Sequence, residues 1–207
     1  MPLIRKPADH SADNKVSTAS PMSLVDADPD RRWRAARDAA HLEGGDAALA
    51  TALQLETDSR VREAMFTSLA HWGTPVAVEA IVARLRSDDA GWRSGALDAL
   101  RIMIPRTPDL LPNLLADPDI DIRILSCELA RSLQSGEATR LLCDVLDRDA
   151  NANVCAAAVE VLAEVGGPEA LASLQNCARR FDGSPFLSFA IQAVIDRLAS
   201  QINPTRA

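Results

Sequence analysis

Asp58-Ser59-Arg60-Val61-Arg62-Glu63-Ala64 decides the fold, because its pattern returns along the chain. Asp30-Arg31-Arg32-Trp33-Arg34-Ala35-Ala36 precedes it. Asp89-Ala90-Gly91-Trp92-Arg93-Ser94-Gly95, Asp119-Ile120-Asp121-Ile122-Arg123-Ile124-Leu125 and Asn151-Ala152-Asn153-Val154-Cys155-Ala156-Ala157 follow. A weaker sixth copy begins at Ser184-Pro185-Phe186. Aligned on their large apolar residue, the copies place Trp33, Val61, Trp92, Ile122, Val154 and Phe186 in one column, at intervals of 28 to 32 residues. A repeat of about 30 residues without strand signals fits two short helices and two turns.

Each column has a physical reason. Asp30, Asp58, Asp89, Asp119 and Asn151 are N-cap residues, whose side-chain oxygens accept from the free N–H groups of the helix that follows. From the apolar column, small or apolar residues recur three, four, seven and eight positions on: Ala64, Met65 and Leu69; Gly95, Ala96, Ala99 and Leu100; Ala157, Ala158, Val161 and Leu162. That is one helical face, and its small residues let neighbouring helices approach closely. Gly45, Gly73 and Gly166 lie where a left-handed turn ends a helix, and Pro75 and Pro168 suit the first turn of the next. The spacing predicts motif helices near 30–42, 59–72, 89–103, 119–133, 151–165 and 185–199, among about eleven in all. Pro105, Pro108 and Pro112 mark a place for altered curvature between the third and fourth units.

Composition agrees with an all-α chain. Ala and Leu dominate, aromatics are 3% and Tyr is absent, which favours helix over strand. The net charge of −7 argues against nucleic acid and gives no attraction to anionic membranes. No stretch has the roughly 20 apolar residues of a membrane span, and Met1 to His10 has no secretory apolar region. Cys127, Cys143, Cys155 and Cys177 form no CxxC pair and fall in helical patterns, which points to reduced, buried thiols in a cytoplasmic protein. Residues 1–22 are expected to be a disordered tail, 23–199 a solenoid and 200–207 a second tail.

The recurrent Asp-x-x-apolar-Arg core over about residues 26–199 resembles the HEAT-repeat family, particularly its short phycobilisome-lyase-like class. The resemblance implies an α-α superhelix of five to six repeats, with the motif helices on the concave face. It also implies a structural Asp–Arg ladder between neighbouring units: Asp30 and Arg34, Asp58 and Arg62, Asp89 and Arg93, Asp119 and Arg123. The fifth copy has Asn151 and Cys155 instead, so both charges are lost together. One HEAT-like enzyme, deoxyhypusine hydroxylase, binds two irons through His-Glu pairs. Here His10, His41 and His71 are not followed by Glu, so those ligands are missing.

No Ser/His/Asp set, Cys/His pair or glycine-rich phosphate loop is assignable, so no catalytic residue, metal or cofactor is expected. Trp33 and Trp92 read as core, and Trp72, near a helix end, as partly exposed. Asp98, Glu128 and Glu160 stand six residues after the apolar column, and Arg101 and Arg131 nine after it. These five form a mixed-charge concave strip suited to a protein surface or peptide. The expected function is a non-catalytic protein-binding scaffold or adaptor. The opening MPLIRKP also resembles that of small bacterial HEAT proteins in chemotaxis-type signalling. The alternative is a lyase-like chaperone or enzyme acting on a bound chromophore or tetrapyrrole.

Overall fold

A computed structural model describes residues 21–202. Within them a 3-10 turn, Pro21–Val25, leads into eleven α-helices and no strand. The helices are α1 (Pro29–Asp38), α2 (Gly45–Leu53), α3 (Ser59–Trp72), α4 (Pro75–Leu85), α5 (Ala90–Met103), α6 (Leu110–Leu115), α7 (Ile120–Leu129), α8 (Ser135–Arg148), α9 (Ala152–Val165), α10 (Leu171–Arg180) and α11 (Pro185–Ile202). The expected tails lie outside the described residues except for 21–22, in the opening turn, and 200–202, at the end of α11.

Odd-numbered helices carry the repeated motif and stack on one another, α1 on α3 on α5 and α7 on α9 on α11; the even-numbered helices form a second wall. Small and branched apolar side chains close the space between the walls, with Val61, Leu69, Leu100, Ile122, Val154 and Leu162 fully buried. The stack is a right match for a solenoid in which each unit buries its apolar face only against its neighbours.

The stack is thinnest at its middle. α5 and α7 touch over a shorter stretch than the other neighbouring motif helices, and α6 has only six residues. Pro105 is the second residue of the 3-10 turn Ile104–Arg106 that follows α5. Across this junction the Arg86 Nη2–Asp117 Oδ2 pair, at 2.7 Å, joins the two halves.

Two columns need correction. The first motif helix is capped by Asp28, whose side chain accepts from the Asp30 N–H, with Pro29 at the first helical position. The register of that copy therefore moves by two: Arg32, and not Arg34, matches Arg62, Arg93 and Arg123, and Trp33 leaves the core column. In the last helix Leu187 takes the buried position, and Phe186 is 77% exposed. Of the turn glycines, Gly73 has φ 62°, as expected, but Gly44 and not Gly45 is left-handed before α2, at φ 71°. Gly166 has φ −69°; a Cβ there would lie 2.5 Å from the Leu162 carbonyl oxygen, so close approach explains it.

Candidate interaction face

The turn before each motif helix has one design. Asp28, Asp58, Asp89, Asp119 and Asn151 accept from amides of their own helices. Two residues earlier, Asp26, Glu56, Ser87, Asp117 and Asp149 each accept the N–H of the cap residue. The arginine four residues after the cap turns back onto the same loop: Arg32 donates to the Asp26 and Ala27 carbonyls, Arg93 to those of Ser87 and Asp88, Arg123 to those of Asp117 and Pro118.

The inter-unit ladder uses the carboxylates two before the cap. Arg32 grips Glu56 at 2.7 and 2.9 Å, and Arg123 grips Asp149 at 2.6 and 3.2 Å, both bidentate. The expected Asp–Arg pairing of cap with arginine is thereby corrected: the cap oxygens already serve their own helix. Asp30 pairs with Arg60, while Arg34 is exposed on α1. Arg62 lies over Trp92 at 4.6 Å, with Arg84 at 4.9 Å from the same ring, and the next unit has Ser87 where an acid would stand in the column. In the fifth unit the missing guanidinium is supplied from α10. Arg180 donates to the Asp147 and Asp149 carbonyls and lies 3.9 Å from Cys155 Sγ.

Clefts open along the face of the motif helices. Between α1 and α3 a cleft of about 410 Å³ is walled by Trp33, Arg37, Arg60 and Glu63, with His41 and His71 edge-to-face at 5.4 Å. Trp72, half-buried, ties α3 to the turn after α1 by donating from Nε1 to the Ala39 carbonyl at 3.0 Å. Between α3 and α5 a second cleft, of about 300 Å³, runs past Phe66, Gly95 and Asp98.

The expected charged strip divides in two. Asp98 and Arg101 pair within α5 and are exposed. Beyond the thin junction, Arg131 is the centre of a cluster that draws in Glu128 at 2.8 Å, Glu160 at 3.8 Å and Glu164. Hydrogen bonds to Glu164 and Glu128 push the Arg131 guanidinium further from deprotonation. Glu164 had no place in the sequence reading; it lies one turn after Glu160 on the same exposed edge, which was the available signal.

A cleft of about 620 Å³, larger than those at α1–α3 and α3–α5, lies between α9 and α11 and reaches Ile124 of α7. Ala156, Ala157, Ala163, Ala190 and Ala193 floor it, and Phe186 forms one rim. Phe189, 76% exposed, stands one turn further along α11. Sequence reasoning placed Phe186 in the core and passed over Phe189. Leu187, Ile191, Val194 and Leu198 make the buried stripe of α11, and that four-and-three spacing already leaves both phenylalanines off it.

Stacked two-helix units with an open, cleft-lined face define an α-solenoid. Residues 107–195 match the family model of HEAT repeats, and the same capped unit continues back to Asp28, so the fold is an α-solenoid of HEAT-like units. Among solved structures, Cex1p is similar at 13% identity and a TM-score of 0.52, over 85% of this chain and 40% of Cex1p. An engineered protein is 19% identical with a TM-score of 0.43, covering 87% of this chain and 95% of its own. The CpcE–CpcF complex of phycocyanin lyase from Nostoc sp. PCC7120 is 15% identical with a TM-score of 0.39, covering 96% and 100%. No curated protein matches the sequence. Among the described residues no helix is long and apolar enough to cross a membrane, and no cluster of three or more His, Cys, Asp or Glu side chains is placed to hold a metal ion.

Proposed function

We propose that this protein is a non-catalytic, cytoplasmic scaffold whose motif-helix face holds a segment of another protein. One observation carries the reading: Phe186 on an alanine-rich cleft and Phe189 one turn further along α11 are both more than three-quarters exposed. Contiguous exposed aromatic surface next to a concavity marks interaction sites. The charged clusters around Arg101 and Arg131 extend the same face and would set orientation and association rate. A role in chemotaxis-type signalling is the finer form of this proposal, and it rests on the opening Met1–Pro7, outside the described residues.

Site-specific photocrosslinking in the source cell tests the scaffold. A photoreactive phenylalanine analogue at position 189 should give a discrete heavier adduct, while the same group at Glu137, exposed on α8, should not. Adducts at 137 with none at 189 would move the interaction to the other wall and refute the reading.

A further inference from the structure

The cleft between α9 and α11 has a chemistry of its own, and it constrains the segment that would fill it. Five of its twelve lining residues are alanines, and the lining side chains recur at three-, four- and seven-residue spacing on two packed helices. A groove of that kind accepts a ridge of apolar side chains from a third helix, whose own spacing is the same. The rim is acidic. Glu160 and Arg197 line it, and Glu160 belongs to a cluster in which Arg131 alone faces Glu128, Glu160 and Glu164. Arg197 is turned away from an incoming ligand, because its Nη2 donates to the Leu162 and Gly166 carbonyls at 2.8 and 3.0 Å. Arg131 is shared among three glutamates, and the side chains of Glu160 and Glu164 stay 70% and 59% exposed. The whole chain is also acidic, at −7, which disfavours a second copy on an already negative rim.

We infer that the α9–α11 cleft is a docking site for a basic amphipathic helix of a partner protein. Its apolar edge would lie on Ala156, Ala157 and Ala190 beside the Phe186 ring and reach toward Phe189 one turn along α11, and a Lys or Arg on the same face would meet Glu160 and Glu164. The inference rests on the scaffold reading and adds the partner's chemistry to it.

A displayed library of random peptides of about 16 residues tests this without presuming the partner. Selection uses the full-length protein, with counter-selection against Phe186→Ser/Phe189→Ser, which alters exposed side chains and should keep the helical circular dichroism of the parent. Recovered peptides should carry apolar residues three and four apart and a net positive charge. A synthetic copy of one such peptide, followed by fluorescence anisotropy, should bind the double-serine variant at least about tenfold more weakly. It should also bind Glu160→Gln/Glu164→Gln more weakly, with the difference shrinking at high salt. Acidic or aperiodic sequences, or affinity untouched by either variant, would overturn the inference. So would a concentration-dependent dimer in sedimentation that the serine variant abolishes, or cross-links from position 189 to residues 1–20 of the same chain. Failure here with a position-189 adduct still formed in the cell leaves the scaffold standing and rejects only the basic helix.

Discussion

Arg32 of α1 holds Glu56 of the next unit through two parallel hydrogen bonds, Nε–Oε2 at 2.7 Å and Nη2–Oε1 at 2.9 Å. The Glu56 side chain is 2% exposed, and its Oε1 also accepts the Thr57 and Asp58 amides. One carboxylate thus ties two units together and shapes the turn that starts α3.

Burial by itself raises the Glu56 pKa, but the Arg32 bond and the two amides outweigh it and hold the carboxyl below its ordinary value. A depressed folded pKa means stability that is complete above the unfolded value and is lost as pH falls through the folded one. Glu56→Gln keeps the shape and removes the charge. It should cost about 2–3 kcal/mol at pH 7 and much less near pH 3, so its denaturation midpoint should change less with acid than the parent's. A variant that loses the same amount at both pH values would show that shape, and not charge, matters at this position.

Gly95 faces Phe66 across the α3–α5 packing, and a Cβ there would lie 2.7 Å from the ring. The ring is pinned edge-on against Trp92, with centroids 5.9 Å apart. Alanine in place of a mid-helix glycine ordinarily stabilises by about 1 kcal/mol. Overpacking should more than cancel that gain here, so Gly95→Ala should lower stability by about 1 kcal/mol in urea unfolding. Adding Phe66→Leu should make the same substitution neutral or favourable. Stabilisation by Gly95→Ala alone would mean that the ring moves freely.

The motif helices were legible because each begins with a capping side chain and keeps an apolar stripe at helical spacing. Register at the two ends was harder. Asp28-Pro29-Asp30 offers two caps, and only the preference of proline for the first helical position selects Asp28. In α11 the weak copy hid the stripe through Leu187, so Phe186 was drawn inward. The ladder was legible in its arginines but not its acids: Asp26, Glu56, Asp117 and Asp149 recur in the sequence, yet which side chain reaches across depends on how units stack. For the same reason Arg180 could not be foreseen as the substitute in the unit that has Cys155.

The four thiols should differ sharply in reactivity. Burial, then the nearby carboxylates of Asp149 and Glu128, push the Cys127 thiol up to about 12. Cys155 is pushed up by its hydrogen bond with Cys177 and by burial, and both are buried. Cys143 is raised by burial as well, but it alone among the four is half-buried. At pH 8 a disulfide reagent should therefore titrate one thiol quickly in the native protein and all four after denaturation. Cys143→Ser should remove the fast phase. A fast phase that survives this substitution would place another cysteine within reach of solvent.

Arg101 and Arg131 occupy equivalent places in their units, and their charge reversal would be expected to leave stability alike if both were simple surface groups. Their surroundings differ. Arg101 has one partner, Asp98, on its own helix; Arg131 links Glu128 of α7 to Glu160 and Glu164 of α9. Arg101→Ala should change stability by less than about 0.5 kcal/mol, the usual range for an exposed pair three residues apart. Arg131→Ala leaves three carboxylates without their shared cation, so it should cost about 1 kcal/mol, more in dilute buffer than at high salt. A double-mutant cycle of Arg131→Ala with Glu164→Ala, read in urea at two salt concentrations, isolates the inter-helix part. Coupling near zero at both concentrations would make the cluster a loose surface arrangement, whereas coupling that fades with salt identifies it as the electrostatic seam between α7 and α9.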